Sequence, residues 1–119
     1  MAAQLRLLTR LAQATSDANA IFREAACAEH GSPWQTLDND EQRKVTMIVA
    51  KALDKRFENG EAAHASWLKD HQDDGWSLGE SEDREKKQSP YMVEWAELSA
   101  AGRAKAELFV AIVKPFYGA

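Results

Sequence analysis

From Ala3 to Glu29 the chain contains neither glycine nor proline and is dense in alanine and leucine, a composition that strongly favours helix over any other local structure. Leu5, Leu8 and Ala12, then Ala18, Ile21, Phe22 and Ala25, recur at three- and four-residue steps, the period of one helix face. Thr15-Ser16-Asp17 in the middle is a cap-like cluster at which such a helix either breaks or continues, and we read one long helix through it. Gly31-Ser32-Pro33 ends the segment, since glycine accepts the left-handed conformation after a helix and proline cannot extend one. A chain of 119 residues committing this much of its length to one helix has room for a single core, so a single domain over residues 1–119 is expected, with residues 1–30 as its N-terminal helix and residues 34–119 as the remainder.

Three further helices are predicted. Asp38 precedes Glu41 by three residues in a capping-box arrangement, and Val45, Ile48, Val49, Ala52 and Leu53 follow on one face, giving a helix over 39–58 that Asn59-Gly60 stops. Residues 61–72 resume helical character and gather His64, Trp67, Leu68 and His71 along one side. Residues 73–98 are turn-rich and then charged over Glu80 to Lys87, which reads as a loop or short hairpin with a solvated charge run. Ser99 is placed to cap a last helix bearing Ala101, Ala104, Leu108, Ala111 and Ile112, joined by Phe109 and Val113, until Pro115 stops it. The expected fold class is mainly α, a small four-helix domain with an irregular loop or short hairpin between the third and fourth helices. No internal repeat is visible.

Charge and cysteine usage narrow the functional classes. With 15 basic against 19 acidic residues the net charge is -4, so the excess positive charge that neutralises a nucleic-acid backbone is missing and bulk nucleic-acid binding is not expected. The single Cys27 cannot form an internal disulfide, suits a reducing compartment, and is expected to fill a small core position. Arg6 and Arg10 interrupt the first apolar stretch, which lacks a small-residue cleavage site and falls short of a bilayer span, so neither export nor membrane insertion is expected and the chain reads as cytoplasmic.

Catalytic signatures are missing: there is no nucleophile elbow, no phosphate loop, no dinucleotide fingerprint and no cysteine and histidine in a suggestive context. Asp73-Asp74 and Glu80-Glu82-Asp83 are adjacent carboxylates whose ordinary reading is a solvated run rather than an acid and base pair. His64 and His71, seven residues apart, do not converge on one ion as an i,i+4 pair does, so no metal site and no cofactor are expected. Trp67 and Trp76 offer the broad faces on which a base stacks, and equally the bulk that fills a core beneath an irregular segment. His64, Lys69 and Arg43 could donate to an anionic or carbonyl-bearing ligand at the rim of such a site; for the two cations the plainer reading is solvated helix surface. The first helix carries Leu5, Leu8 and Ala12 on one stripe and Leu7 and Leu11 on another, more apolar surface than a single seam needs. This suits either a homodimer or higher homo-oligomer, or a helix wrapped by its own core.

The stretch from His64 to Leu98 reads His-x-x-Trp-x-Lys-Asp-x-x-x-Asp-Gly-Trp-Ser-Leu-Gly, then Lys86 or Lys87, then Ser-Pro-Tyr-Met-Val-x-Trp-x-x-Leu. This resembles the ryanodine receptor repeat, the RyR domain, most specifically at Trp67, Gly75-Trp76, Gly79, Pro90 and Leu98. The whole chain, with Trp34 and Leu37 followed by a helix near Arg43, is similar to the stand-alone single-repeat versions found in bacteria and their phages, for which the compartment would be the host cytoplasm if the chain is phage-encoded. Leu78 stands where the family usually has tyrosine and Ser89 where it usually has histidine, while Trp95 keeps an aromatic before the last helix. The resemblance implies a small, α-rich, non-enzymatic module that holds a nucleotide or nucleotide-derived ligand, with Trp67, Trp76, His64, Lys69 and Arg43 as candidate contacts. The alternative is a structural or protein-interaction module that self-associates through its N-terminal helix. Exposure of the Trp67 face separates the two.

Overall fold

The structure, a computed structural model, describes residues 2–27 and 30–118. Four helices follow in order, α1 (Ala2–Ala26), α2 (Asn39–Lys55), α3 (Gly60–Asp73) and α4 (Ala100–Val113), with a two-strand insert, β1 (Ser77–Leu78) and β2 (Gln88–Ser89), between α3 and α4. Short 3-10 turns at Trp34–Thr36, Trp95–Glu97 and Lys114–Phe116 link or finish the elements. The mainly α expectation and the four helices therefore stand. Among the described residues no helix is long and apolar enough to cross a membrane.

α1 is one unbroken helix. At 1.5 Å per residue it is about 37 Å long, nearly the 41 Å of the molecule's greatest dimension. The cap-like cluster survives inside it because its side chains find partners: Thr15 Oγ1 donates to the Ala12 carbonyl at 3.0 Å, and Asp17 Oδ1 accepts the Trp34 amide at 2.8 Å, fastening the interhelical loop to the middle of α1. The buried stripe of its second half is Thr15, Ser16 and Ala20, whereas the expected Ile21 and Ala25 are exposed. Several three- and four-residue series coexist in a helix this rich in alanine, and packing, not periodicity, selected among them. Ala28 and Glu29, the expected end of this helix, lie outside the described residues. Cys27 is half-buried just beyond the helix and is not a core residue. Gly31 serves by its size and not by a left-handed φ: a β-carbon there would collide with the backbone of Ala20, against which the loop closes.

The core sits where α1, α2 and α4 meet. Ala12, Val49, Ala52 and Val113 are 0% exposed and Leu11 4%, and Leu7, Leu8, Val45, Leu53, Phe109 and Ile112 pack around them. Facing alanines let α1 and α2 approach closely, and the larger side chains fill the space toward α4. Gly102, Val110 and Val113 are the buried residues of α4, while the expected Ala104 and Ala111 point outward.

Helix ends explain the remaining boundaries. Asp38 and Glu41 form the expected capping box, with the Glu41 amide 2.8 Å from Asp38 Oδ1. α2 stops at Lys55, short of the expected Glu58, because Arg56 turns left-handed (φ 54°) and its amide closes on the Ala52 carbonyl. Asn59-Gly60 is accordingly a start and not a stop: Asn59 caps α3 by accepting the Ala62 amide, and the Gly60 amide donates to Glu107 of α4 at 2.7 Å. The C-terminal turn latches onto the same link, with Tyr117 Oη donating to the Phe57 carbonyl at 2.9 Å and Lys114 Nζ to that of Glu58 at 2.9 Å.

Two outcomes test this account. Arg56→Gly, which removes the β-carbon penalty of the left-handed cap, is expected to stabilise by about 0.5–1 kcal/mol, seen as a higher urea midpoint at unchanged m-value. The Glu41 amide, aided by the Glu41 side chain, the Asp40 amide and the charge of Arg84, holds the Asp38 carboxyl below its ordinary value against a smaller opposing effect of desolvation. A lowered folded-state value makes the Asp38 contribution present above about pH 4 and lost as pH falls through it, so Asp38→Asn should flatten the acid limb of the stability profile.

Candidate functional site

α3 carries the chemistry that the sequence singled out. The 3.6-residue period brings His64, Trp67 and His71 onto one side, next to the buried Leu68. Trp67 stacks on His64 with ring centroids 5.5 Å apart and on His71 at 4.1 Å. The two histidines stand two helical turns apart, about 10 Å along the axis, so they flank the indole from opposite sides. His71 meets Trp76 edge-on at 5.2 Å, and His64 meets Trp95 at 6.1 Å. A continuous row of rings results: Trp95, His64, Trp67, His71 and Trp76.

Each end of the row is fixed by backbone chemistry. His64 is 7% exposed, and its Nε2 lies 2.7 Å from the Val93 carbonyl. A carbonyl only accepts, so Nε2 carries the hydrogen. His71 adopts the other tautomer, with Nδ1 donating to the Trp67 carbonyl at 2.9 Å. At the far end Gly75 is left-handed (φ 89°), the Trp76 amide reaches the His71 carbonyl at 2.8 Å, and the Gly75 amide reaches that of Gln72 at 3.0 Å. This is a Schellman closure, whose customary side-chain contact is here the edge-on pair of His71 and Trp76. Lys87 Nζ donates to the neighbouring Asp74 carbonyl at 2.9 Å. At the near end Arg103 of α4 lies over Trp95, its guanidinium carbon 5.6 Å from the ring centre, while its Nε donates to the Trp95 carbonyl at 3.1 Å.

The insert that the row supports is not an antiparallel hairpin of strands. β1 and β2 pair in parallel, Ser77 opposite Gln88 and Leu78 opposite Ser89, and the chain between them reverses through a turn closed by Asp83 and Gln88. Ser89 is the buried anchor of the insert at 0% exposure: its carbonyl accepts the Gly79 and Met92 amides, and its hydroxyl accepts the Tyr91 amide at 3.2 Å. Leu78 is 59% exposed. The charge run is solvated but tethered, with Glu82 on Arg23 of α1 and Arg84 on Glu41 of α2, each at 3.3 Å.

The expected site residues divide. His64, Trp67 and Trp76 come together through His71, whereas the cations do not join them. Lys69 pairs with Asp73 at 3.6 Å and Arg43 with Asp40 at 3.0 Å, both on strongly exposed faces of their own helices. His71 and Trp95 complete the row although neither was among the candidate contacts; the i,i+4 spacing of His71 from Trp67 was the signal for the first. Trp67, His71, Trp76 and Trp95 are each half-buried. Thus Trp67 is neither open to a cleft nor fully enclosed, and imidazoles occupy its two sides. Two surface cavities lie elsewhere, one of about 470 Å³ beside Arg23, His30 and Glu82 and one of about 180 Å³ between α1, α2 and α4. Among the described residues no group of three or more histidine, cysteine or acidic side chains is placed to hold a metal.

His64→Ala would leave the Val93 carbonyl unpaired and a void beneath the insert. Combining a lost buried hydrogen bond with a cavity predicts a loss of about 2–4 kcal/mol in chemical denaturation, with the insert amides losing hydrogen-exchange protection before the α1 and α2 amides do.

Compared with known proteins, residues 44–114 match the family model described as the RyR domain, a span of more than half the chain that runs from α2 through α4 and includes the whole ring row. No curated protein and no solved structure matches the chain.

Proposed function

The chain belongs to the RyR domain family, and from that premise we propose that it is a non-enzymatic binding module taking a flat, nucleotide-like ligand at the open margin of its ring row. The observation that carries this reading is that Trp67, His71 and Trp76 form consecutive ring contacts while each keeps part of its surface exposed. Because imidazoles hold both sides of Trp67, a base stacks most readily on Trp76 at the outer end, and Trp67 acts by holding the row in place. Stacking of this kind contributes about 1–3 kcal/mol per base. Lys87, held on Asp74 close by, supplies positive charge for a phosphate. Arg43 and Lys69 join only by leaving Asp40 and Asp73, which costs little, since exposed ion pairs are worth about 0–1 kcal/mol.

A second reading, an interaction module that self-associates through α1, is favoured by the double coverage of Trp67, which suits a purely structural row. Against it, Leu7, Leu8, Leu11 and Ala12 pack inside the chain's own core. Leu5 and Ile21, 63% and 66% exposed, fall about 160° apart around the helix and make no common stripe.

Adenine nucleotides, cyclic nucleotides and ADP-ribose at millimolar concentration are expected to raise the melting temperature, by the equivalent of about 2.7 kcal/mol for a ligand at one hundred times its dissociation constant. Trp76→Ala should abolish the shift while leaving the unliganded protein folded. Absence of any shift, together with a concentration-dependent dimer in sedimentation that is lost on replacing Leu5 and Ile21, would establish the second reading instead.

A further inference from the structure

The cavity between α1, α2 and α4 lies away from the ring row and owes nothing to the reading above. Its cause is local. Along one ridge of α1 stand Ala12, Ser16 and Ala20, all small and all buried, and Ser16 among them faces larger side chains of α2 and α4. The alanine at position 12 meets Ala52 and Val49 in close packing, but one turn further on the helices no longer fill the gap. A space of about 180 Å³ remains, walled by Val45 and Ile48 of α2 and by Leu108, Phe109 and Ile112 of α4.

The α1 wall of this apolar space is polar. Ser16 lines it and is 8% exposed, and its hydroxyl, which makes no hydrogen bond among the described residues, keeps contact with solvent through the open side of the cavity. The reason is visible one residue earlier. A helical serine ordinarily satisfies itself on the carbonyl four positions back, here that of Ala12, whose second lone pair is already taken by the Thr15 hydroxyl at 3.0 Å. Asn19, one turn on, also lines the space and likewise has no hydrogen-bonding partner among the described residues. Lys105, whose ammonium sits 4.2 Å from the centre of the Tyr91 ring, borders the rim.

We propose that this cavity is a binding site for a small neutral aromatic carrying one hydrogen-bonding group, of the phenol or indole class. The volume suffices for one ring, since an enclosed apolar cavity of about 150 Å³ accepts benzene, and the open side of this one gives the ligand a way in. The walls offer aliphatic and phenyl surface to a ring, and Ser16 and Asn19 each both donate and accept, so they complement a phenolic hydroxyl or an indole N–H on the α1 side. Binding exchanges solvent for a ligand group at two side chains that have no partner within the protein, and the polar substituent adds the net worth of one hydrogen bond.

Titration of the 119-residue protein with phenol, indole and benzene, followed by amide chemical shifts, tests this. Phenol and indole at millimolar concentration should move Ser16, Asn19, Val45, Ile48, Leu108 and Phe109 together and leave Trp76 still. Phenol should bind about five- to tenfold more tightly than benzene, the worth of one hydrogen bond. Ser16→Ala, which removes an unbonded hydroxyl and should not impair folding, is expected to erase most of that preference while leaving benzene unchanged. Val45→Phe should fill the space and abolish binding of all three. Unmoved amides at saturation, shifts centred on the ring row, or equal affinity for phenol and benzene would each overturn the proposal.

Discussion

An irregular segment between two helices carries backbone amides and carbonyls that no regular ladder can pair, and residues 74–99 must nonetheless be pinned against a helical core. The hydrogen bond from His64 to the Val93 carbonyl meets this requirement from below. It holds because His64 is itself fixed, by burial on α3 and by the indole beside it, and because Arg103 reaches from α4 to the carbonyls of Trp95 and Ala96 on the other side of the same segment. From this one polar contact the ring row follows. Once His64 is committed to Val93, Trp67 stacks beside it, His71 continues the stack one turn on, and the Schellman closure at Gly75 sets Trp76 against His71.

The row therefore has a structural reason at every ring, and a recognition role has to be compatible with it. Compatibility comes from position. His64 lies inside and makes the hydrogen bond to Val93, whereas Trp76 is the half-buried last ring of the row, set by the turn at Gly75 and an edge-on contact with His71. A ligand that stacks on the outer ring disturbs none of the bonds that hold the insert, while one that demanded the faces of Trp67 would have to expel an imidazole.

Much of this was legible in the residues themselves. Capping side chains at Asp38, Asn59 and Ser99 act over one turn, and two of these were readable as starts; the Asp-Gly-Trp turn and the His-x-x-Trp spacing were visible for the same reason, since they depend on neighbours in sequence. What could not be read depended on distance. Gly31 is required by the backbone of Ala20 and Gly60 approaches Glu107, contacts that no local pattern announces. Arg56 ends α2 although an Asn-Gly pair stands three residues later, because a left-handed arginine has no sequence signature. Alanine-rich helices also satisfy several apolar series at once, so the buried faces of α1 and α4 were decided by their neighbours. Arg43 and Lys69 show the limit for charge: residue type alone marks them as ligand donors, and only the i,i+3 and i,i+4 carboxylates of their own helices place them as exposed ion pairs.

Thr15, Ser16 and Asp17 show how a single polar cluster in an apolar helix resolves into separate tasks. In sequence the three look alike, as a place where a helix would begin or end. Successive helical residues point about 100° apart, so the three side chains face different surroundings. Asp17 looks toward the loop and binds the Trp34 amide; Thr15 folds back onto the Ala12 carbonyl; Ser16, facing α2 and α4, is left with neither. The helix continues because two of the three polar groups are satisfied without interrupting its own ladder. The third finds no partner within the protein because its neighbour has taken the acceptor it would have used, and a hydroxyl left to solvent on the wall of an apolar space follows from that competition.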